Sequence, residues 1–221
     1  TAGVASVIST IKSRGYNSSY AASYFPRIRY NDSSTGTTLR PLVPSSVAAL
    51  AVLAESERKS EPWFAPAGVN RGGLDNVLRT EKTLTKANRD TLYEGKVNPI
   101  ATFPNVGVCV FGQKTLQKKA SALDRVNVRR LLINLKNVIG GIANDLVFEN
   151  NTTATRNSFV SQANAYLETV QQKQGLFAFK VVMDDTNNTP DVIDRNQMVG
   201  QLFIQPAKTA EFIILDFNIL P

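Results

Sequence analysis

Few side chains in this sequence could carry out chemistry, and the missing residue types exclude several reaction classes. The 221 residues contain no histidine, which excludes zinc sites built on histidine, Ser-His-Asp triads and histidine pH switches. The single cysteine, Cys109, lies in the apolar stretch VGVCVF and has no histidine to activate it as a nucleophile. We expect Cys109 to be a small buried core residue, and a single cysteine allows no internal disulfide.

Four aspartates form an acidic group that could hold Ca²⁺ or Mg²⁺, or supply the carboxylate pair of a hydrolase. Asp184 and Asp185 precede, and Asp191 and Asp194 follow, the turn-forming sequence TNNTP. Their spacing does not match the EF-hand loop, so a solvated loop is the favoured interpretation. We predict that the protein is not an enzyme and uses no metal or cofactor.

Positive charge is concentrated in the middle of the chain. The net charge is +7 overall, and it is +3 for residues 1–70, +7 for 71–145 and −3 for 146–221. A cationic middle and an anionic end suit either nucleic acid or head-to-tail contact between copies of the protein. A nucleic-acid-binding domain is therefore the alternative function. Against it, the aromatic side chains of this region are few and are not interleaved with the basic residues as a stacking platform requires.

A long basic helix is predicted to position much of this charge. Apolar side chains recur at helical spacing over residues 124–142 and define a buried stripe. Asp124 is a good N-cap that complements the helix dipole. Arg125, Arg129 and Lys136 fall together on another face of the same helix.

Three further helices are predicted from the same kind of pattern. One covers residues 155–173 and is ended by Gly175. Another covers 4–12. The third opens at Pro44-Ser45-Ser46, where a serine can cap the first amides, and fades near residue 59.

Strands and connections account for most of the remainder. Strands are predicted over residues 20–30, with Pro26 implying an edge or a bulge, and over 176–183 and 198–205. Residues 69–90 are polar and are predicted to cross between two subdomains. Their single Arg71-Gly72-Gly73 is interpreted as a turn, because nucleic-acid binding by RGG needs repeated copies.

A last strand, predicted over residues 211–220, needs something to cover it. Its apolar side chains include Phe212, Ile213, Ile214, Leu215, Phe217 and Ile219. Two interpretations remain open for such a terminal strand. It pairs within its own sheet, or it is donated to the sheet edge of a neighbouring subunit, where backbone hydrogen bonds give affinity and side-chain alternation gives register.

Length and hydropathy indicate a globular protein. The chain is long enough for one large domain or two small ones, and no apolar run approaches the roughly 20 residues of a membrane span. We expect no membrane insertion. Residues 1–10 lack a signal-peptide pattern and an initiator Met, so we expect a fragment or a processed product.

Eight short motifs in a fixed order resemble the tail sheath proteins of contractile phages and related injection machines. They are YAASYFP (20–26), VPSSVA (43–48), WFAPAG (63–68), LYEGKVNPI (92–100), FGQKTL (111–116), NVRRL (127–131), FENN (148–151) and AKTAEFI (207–213). Asn150 stands where the family usually has proline, and Phe64 replaces a basic residue. The resemblance covers nearly the whole chain and implies a C-terminal fragment of a longer subunit.

The resemblance implies a mechanical function. Sheath subunits form stacked six-fold rings around a tail tube, and contraction of the rings drives the tube through the host envelope. The implied partners are other sheath copies, the tube protein, and the baseplate and tail terminator proteins. The implied location is the virion tail, assembled in the host cytoplasm. Neighbouring subunits are linked by terminal strands that complete a sheet, which assigns that role to residues 211–220.

The resemblance also implies a fold, a domain division and a tube-facing surface. The expected class is α+β, with the C-terminal part of an α/β core domain (1–75) followed by a sheath C-terminal domain (76–221). In the latter, two long helices pack on a small mixed sheet and 208–221 form an arm strand. The residues expected to face an acidic tube are Lys114, Lys118, Lys119, Arg125, Arg129 and Lys136.

Overall fold

Helices and strands alternate along the chain in the computed structural model, which describes residues 3–31 and 41–213. The helices of this part are α1 (Val4–Ser13), α2 (Ser45–Lys59), α3 (Lys86–Glu94), α4 (Val126–Asn144), α5 (Thr153–Gln172) and α6 (Pro190–Asp194). The strands are β1 (Ser23–Phe25), β2 (Ile28–Tyr30), β3 (Leu42–Val43), β4 (Val77–Thr80), β5 (Val97–Phe103), β6 (Gly107–Val110), β7 (Leu176–Val182) and β8 (Gln201–Pro206). The expected α+β class is confirmed.

The first half of the chain builds two small sheets on one core. β1 runs parallel to β5, β5 is antiparallel to β6, and β2 lies between β3 and β4 in an antiparallel sheet. Buried side chains of α2, such as Val52, pack with apolar residues of these strands, such as Ile100 and Val110. Strands from both sides of residue 75 share the two sheets, and the division at that residue stays a prediction.

In the second half, the two long helices pack on the antiparallel strands β7 and β8. We call this pair the β7–β8 hairpin, although its strands are joined through α6. Leu131 and Leu135 of α4 and Leu167 of α5 belong to one buried cluster, which the inner face of β7 and β8 covers. Trp63 is buried in the same cluster, and its indole N–H donates to the Lys173 carbonyl over 2.9 Å. The sheet under the helices is two-stranded and antiparallel, whereas the mixed sheet is the one formed by β1, β5 and β6.

The predicted N-cap of the basic helix is wrong. Asp124 ends a short 3-10 turn, Ala122–Asp124, and the N-cap of α4 is Arg125, whose backbone is extended. The reason is a competing backbone pairing: the Thr115 N–H donates to the Asp124 carbonyl and the Val126 N–H to the Gln113 carbonyl. These bonds hold the chain extended until α4 begins.

Two other expectations change in detail. The single strand predicted over 20–30 is divided by Pro26 into β1 and β2, which enter different sheets. Ser45 does not cap α2, because its hydroxyl donates to the Tyr24 carbonyl over 2.7 Å. The predicted extents of α1, α2, α5, β7 and β8 are close to the observed ones.

One fully buried side chain fixes the position of β5. The amide nitrogen of Asn98 donates to the Ser23 and Lys114 carbonyls over 3.1 and 2.8 Å, and its oxygen accepts from the Lys114 N–H over 2.6 Å. Buried backbone groups need partners, so this residue joins β1, β5 and the segment leading to α4.

Candidate assembly surfaces

The β7–β8 hairpin is a sheet of only two strands. Its register pairs Phe179 with Ile204 and Val181 with Leu202, and Phe179, Val181 and Ile204 pack on the helices. Within the described residues, neither β7 nor β8 pairs with a third strand. The two outer edges of such a sheet carry backbone N–H and C=O groups with which another strand can pair, although the Phe177 carbonyl of β7 already accepts from the Gln171 side chain over 2.9 Å.

Exposed apolar side chains lie on this hairpin. Phe177 and Phe203 are both exposed, although phenylalanine is usually buried in a protein core. Phe203 faces Lys180 across the sheet, on the side away from the helices. The hairpin therefore presents both open edges and apolar surface.

The segment after β8 stays on the body of the chain as far as Glu211 and is largely exposed beyond it. The Ala207 N–H donates to the Gly175 carbonyl over 3.1 Å, and residues 207–213 have no regular secondary structure. Phe212 and Ile213 are 79% and 80% exposed. Ile214, Leu215, Phe217 and Ile219 of the predicted terminal strand lie outside the described residues, so strand donation stays a prediction.

The six candidate basic residues divide into two groups. Lys118, Lys119 and Lys136 are exposed. Lys118 and Lys119 lie in the segment before α4, while Lys136 lies on α4 about 15 Å along the axis from its start. The other three basic side chains make contacts within the subunit.

Lys114 and Arg129 both lie over aromatic rings. The Lys114 ammonium donates to the Tyr93 carbonyl over 2.9 Å and lies 4.1 Å from the Tyr93 ring centroid. Partial burial lowers the pKa of Lys114. Arg129 is buried, its guanidinium lies 4.0 Å from the Tyr20 ring centroid, and it donates to the Ser19 hydroxyl. These contacts hold both cations against their own subunit.

Arg125 is paired with acidic residues. Its guanidinium contacts Asp124 at 2.8 Å and donates to the Glu211 carboxylate from both Nε and Nη2, over 2.7 and 3.0 Å. Lys114 and Arg125 are neighbours in an isolated antiparallel bridge. The Glu211 contact was not predictable from the sequence, because 86 residues separate the partners and neither lies in a motif that predicts a pair.

The residues that were considered for catalysis are buried in the core or paired with neighbouring side chains. Cys109 is buried in β6, as expected, and burial raises the pKa of its thiol to about 11, which disfavours the thiolate. Asp184 and Asp185 are exposed; Asp184 accepts from Thr186, and Asp185 pairs with the buried Arg156 over 2.6 Å. No cluster of three or more potential metal-ligating side chains occurs in residues 3–31 and 41–213. No helix in these ranges has the length and apolar character of a membrane span.

The sequence and the fold both match proteins of contractile tails. Residues 118–220 match the phage tail sheath C-terminal domain. The chain is 42% identical over 175 residues to the tail sheath protein of Vibrio phage KVP40, and 37% identical over 189 residues to that of Enterobacteria phage T4. The chain belongs to the tail sheath family.

These alignments cover 79% and 86% of this sheath chain but only 26% and 28% of the two relatives. The chain thus spans about a quarter of the length of those relatives. Among solved structures, the fold is similar to the sheath complex of the PVC extracellular contractile injection system in its contracted state. That match has a TM-score of 0.87 at 25% identity and covers 99% of this chain and 61% of the other. The nucleic-acid-binding alternative has no support among these proteins.

Proposed function

We propose that this chain is the C-terminal part of a contractile tail sheath subunit. Such subunits polymerise as stacked six-fold rings around a tail tube, and contraction of the rings drives the tube through the host envelope. The observation that carries the proposal is the two-stranded β7–β8 sheet, next to a C-terminal segment whose last described side chains point into solvent. Tail sheath relatives at 37–42% identity support it.

The linkage between subunits is strand addition. Sequence beyond Ile213 continues an apolar pattern that needs cover, and the open edges of β7 and β8 offer backbone groups that need partners. Donating the part of the predicted 211–220 strand that follows Glu211 to the β7–β8 sheet of a neighbour satisfies both requirements at once. Because every subunit both donates and accepts, the same contact repeats through the lattice.

The work of this protein is mechanical rather than catalytic. Energy stored in the extended lattice drives contraction, so no bond-breaking chemistry is assigned to any residue. Besides other sheath copies, we propose the baseplate, the tail terminator and the tube protein as partners. The location is the virion tail, after assembly in the host cytoplasm.

The contact with the tube is assigned to exposed lysines. Lys118, Lys119 and Lys136 present cationic groups to solvent, whereas Lys114, Arg125 and Arg129 are held within their own subunit. Exposed ion pairs contribute about 0–1 kcal/mol each, so a contact of this kind is weak. A weak contact lets the sheath release the tube when it contracts.

Deleting residues 212–221 from the complete subunit tests the strand linkage and keeps Glu211 in place. We expect a folded subunit that no longer forms tubular sheaths, as measured by circular dichroism and electron microscopy. A full-length companion carries serine at Ile213, Leu215, Phe217 and Ile219, and it is expected to fail in the same way.

The matched control replaces Asp216 and Asn218 with serine, which changes the polar positions and leaves the apolar face unaltered. This control is expected to assemble normally. If the deletion variant formed normal sheaths, the proposed strand linkage would be wrong.

A further inference from the structure

Beyond Ala207, side chains rather than backbone pairing attach the described part of the C-terminal segment to the body. Both carboxylate oxygens of Glu211 accept from Arg125, over 2.7 and 3.0 Å. The two side chains are only 16% and 26% exposed. Charge-assisted bidentate pairs are stronger and more directional than ordinary hydrogen bonds, so this pair defines a position and an orientation.

Two further residues of the body contact the same segment. The Gln113 amide nitrogen donates to the Thr209 hydroxyl over 2.7 Å and lies 3.3 Å from a Glu211 oxygen. Burial raises the pKa of Tyr93, and the charge of Glu211 and a hydrogen bond to it add to this increase. We call this group the C-terminal clasp, with Tyr93, Gln113 and Arg125 on the body and Thr209 and Glu211 on the segment.

The body side of the clasp is rigidly held. Tyr93 belongs to α3, and Gln113 is buried. The Gln113 carbonyl accepts from the Val126 N–H over 2.8 Å, which ties it to the first residue of α4. Arg125 precedes that residue in extended backbone. The clasp is therefore anchored where α4 begins.

The segment changes character on either side of the clasp. Before it, the Ala207 N–H is bonded to the Gly175 carbonyl, which marks the end of regular pairing next to β8. After it, Phe212 and Ile213 are largely exposed. In the described part of the segment beyond Ala207, the hydrogen bonds and ion pairs with the body are those of the clasp side chains.

We infer that the C-terminal clasp is the positioning site of the intersubunit arm, fixing the point and direction in which residue 212 leaves the subunit. Force that a neighbour exerts on the arm is then transmitted to Arg125 and the start of α4. Because the force does not act on β8, that strand stays paired with β7. This assigns Arg125 to arm positioning instead of tube contact. The inference rests on the proposed strand linkage and goes beyond it, since donation alone does not require a fixed exit.

The first test measures arm mobility in the 221-residue chain. A nitroxide is attached to the exposed position 210 in Ala210→Cys, and buried Cys109, whose pKa is raised, is left unlabelled. Glu211→Gln or Arg125→Gln is expected to shift the released-to-clasped ratio of the label by about tenfold or more. The double variant is expected to be no worse than either single one, because both remove the same contact.

The matched control is Glu81→Gln, which breaks a comparable bidentate pair with Arg27 elsewhere on the surface. It should leave the spectrum of the label unchanged. Near-UV circular dichroism of every variant reports whether the fold is retained. An unchanged label spectrum in folded Glu211→Gln would overturn the clasp.

The second test separates arm positioning from arm donation in the complete subunit. Glu211→Gln is expected to form fewer or irregular sheaths with its strand sequence intact, whereas the 212–221 deletion forms none. Regular sheaths from a Glu211→Gln subunit with a released label would overturn the positioning role and leave strand donation standing. Regular sheaths from the deletion would instead contradict the proposed function.

Discussion

Gly72 lies where the chain turns back against β6, and the turn has no room for a side chain. The Gly72 N–H donates to the Gly68 carbonyl, and the Gly72 carbonyl accepts from the Val110 N–H. A β-carbon at this position would lie 2.4 Å from the Val110 carbonyl oxygen and 2.7 Å from that of Gly68. Both obstacles are backbone atoms, so they cannot move aside as a flexible side chain would.

Gly72→Ala is expected to destabilise the protein by about 1–3 kcal/mol, since backbone must shift to accept the methyl group. Its neighbour provides the control, because a β-carbon on Gly73 meets nothing within 4 Å. Gly73→Ala is expected to change the free energy of unfolding by less than about 0.5 kcal/mol. Urea denaturation of both variants measures the difference, and equal stabilities would contradict the packed-turn account of the RGG sequence.

At the residue scale, the residues next to a position in the sequence predicted whether its side chain is buried. They did not predict polar contacts between residues that are far apart in the sequence. Cys109 is buried as expected, because its apolar neighbours predict burial directly. The contacts of Glu211 with Arg125 and Gln113 span 86 and 98 residues of sequence. Nothing in the composition around those residues marks them as partners.

Exposed lysines on two elements, the segment before α4 and α4 itself, carry the proposed tube contact. Each ion pair they make is worth at most about 1 kcal/mol, and salt screens it. We expect Lys118→Glu, Lys119→Glu and Lys136→Glu each to weaken binding of the subunit to isolated tube by up to about fivefold. The loss should shrink as ionic strength rises.

Lys86→Glu is the control for these substitutions, since it reverses the charge of an exposed lysine at the start of α3. A co-sedimentation titration at several salt concentrations measures the affinities. If the three candidate variants bind the tube as well as the Lys86→Glu control does, the tube-facing assignment fails.

At the element scale, strongly periodic segments were predictable and short polar ones were not. The helices α4 and α5 follow their apolar spacing, although tertiary pairing of residues 124–126 moved the start of α4. In contrast, β4 and the first five residues of α3 lie in the stretch predicted to be a polar crossing. Only Leu92 of α3 is buried, so its sequence lacks the apolar stripe on which helix prediction depends.

At the scale of the whole molecule, the described part of the chain is a folded body that includes the two-stranded β7–β8 sheet. The core binds α4, α5 and the β7–β8 hairpin together, while the hairpin edges have no partner strand in residues 3–31 and 41–213. The apolar C-terminal sequence predicts a strand that needs a partner, and that stays a prediction. The two outer edges of the β7–β8 sheet were not predictable from sequence, because strand edges are a property of the folded arrangement.

In the proposed linkage, the last residues of one subunit extend the β7–β8 sheet of another. Cryo-electron microscopy of assembled sheaths made from the complete subunit measures this directly. We expect residues 214–221 to form a strand added to β7 or β8 of a neighbouring subunit, in an arm that leaves its own body next to the C-terminal clasp. A strand from these residues paired only within its own subunit would contradict it.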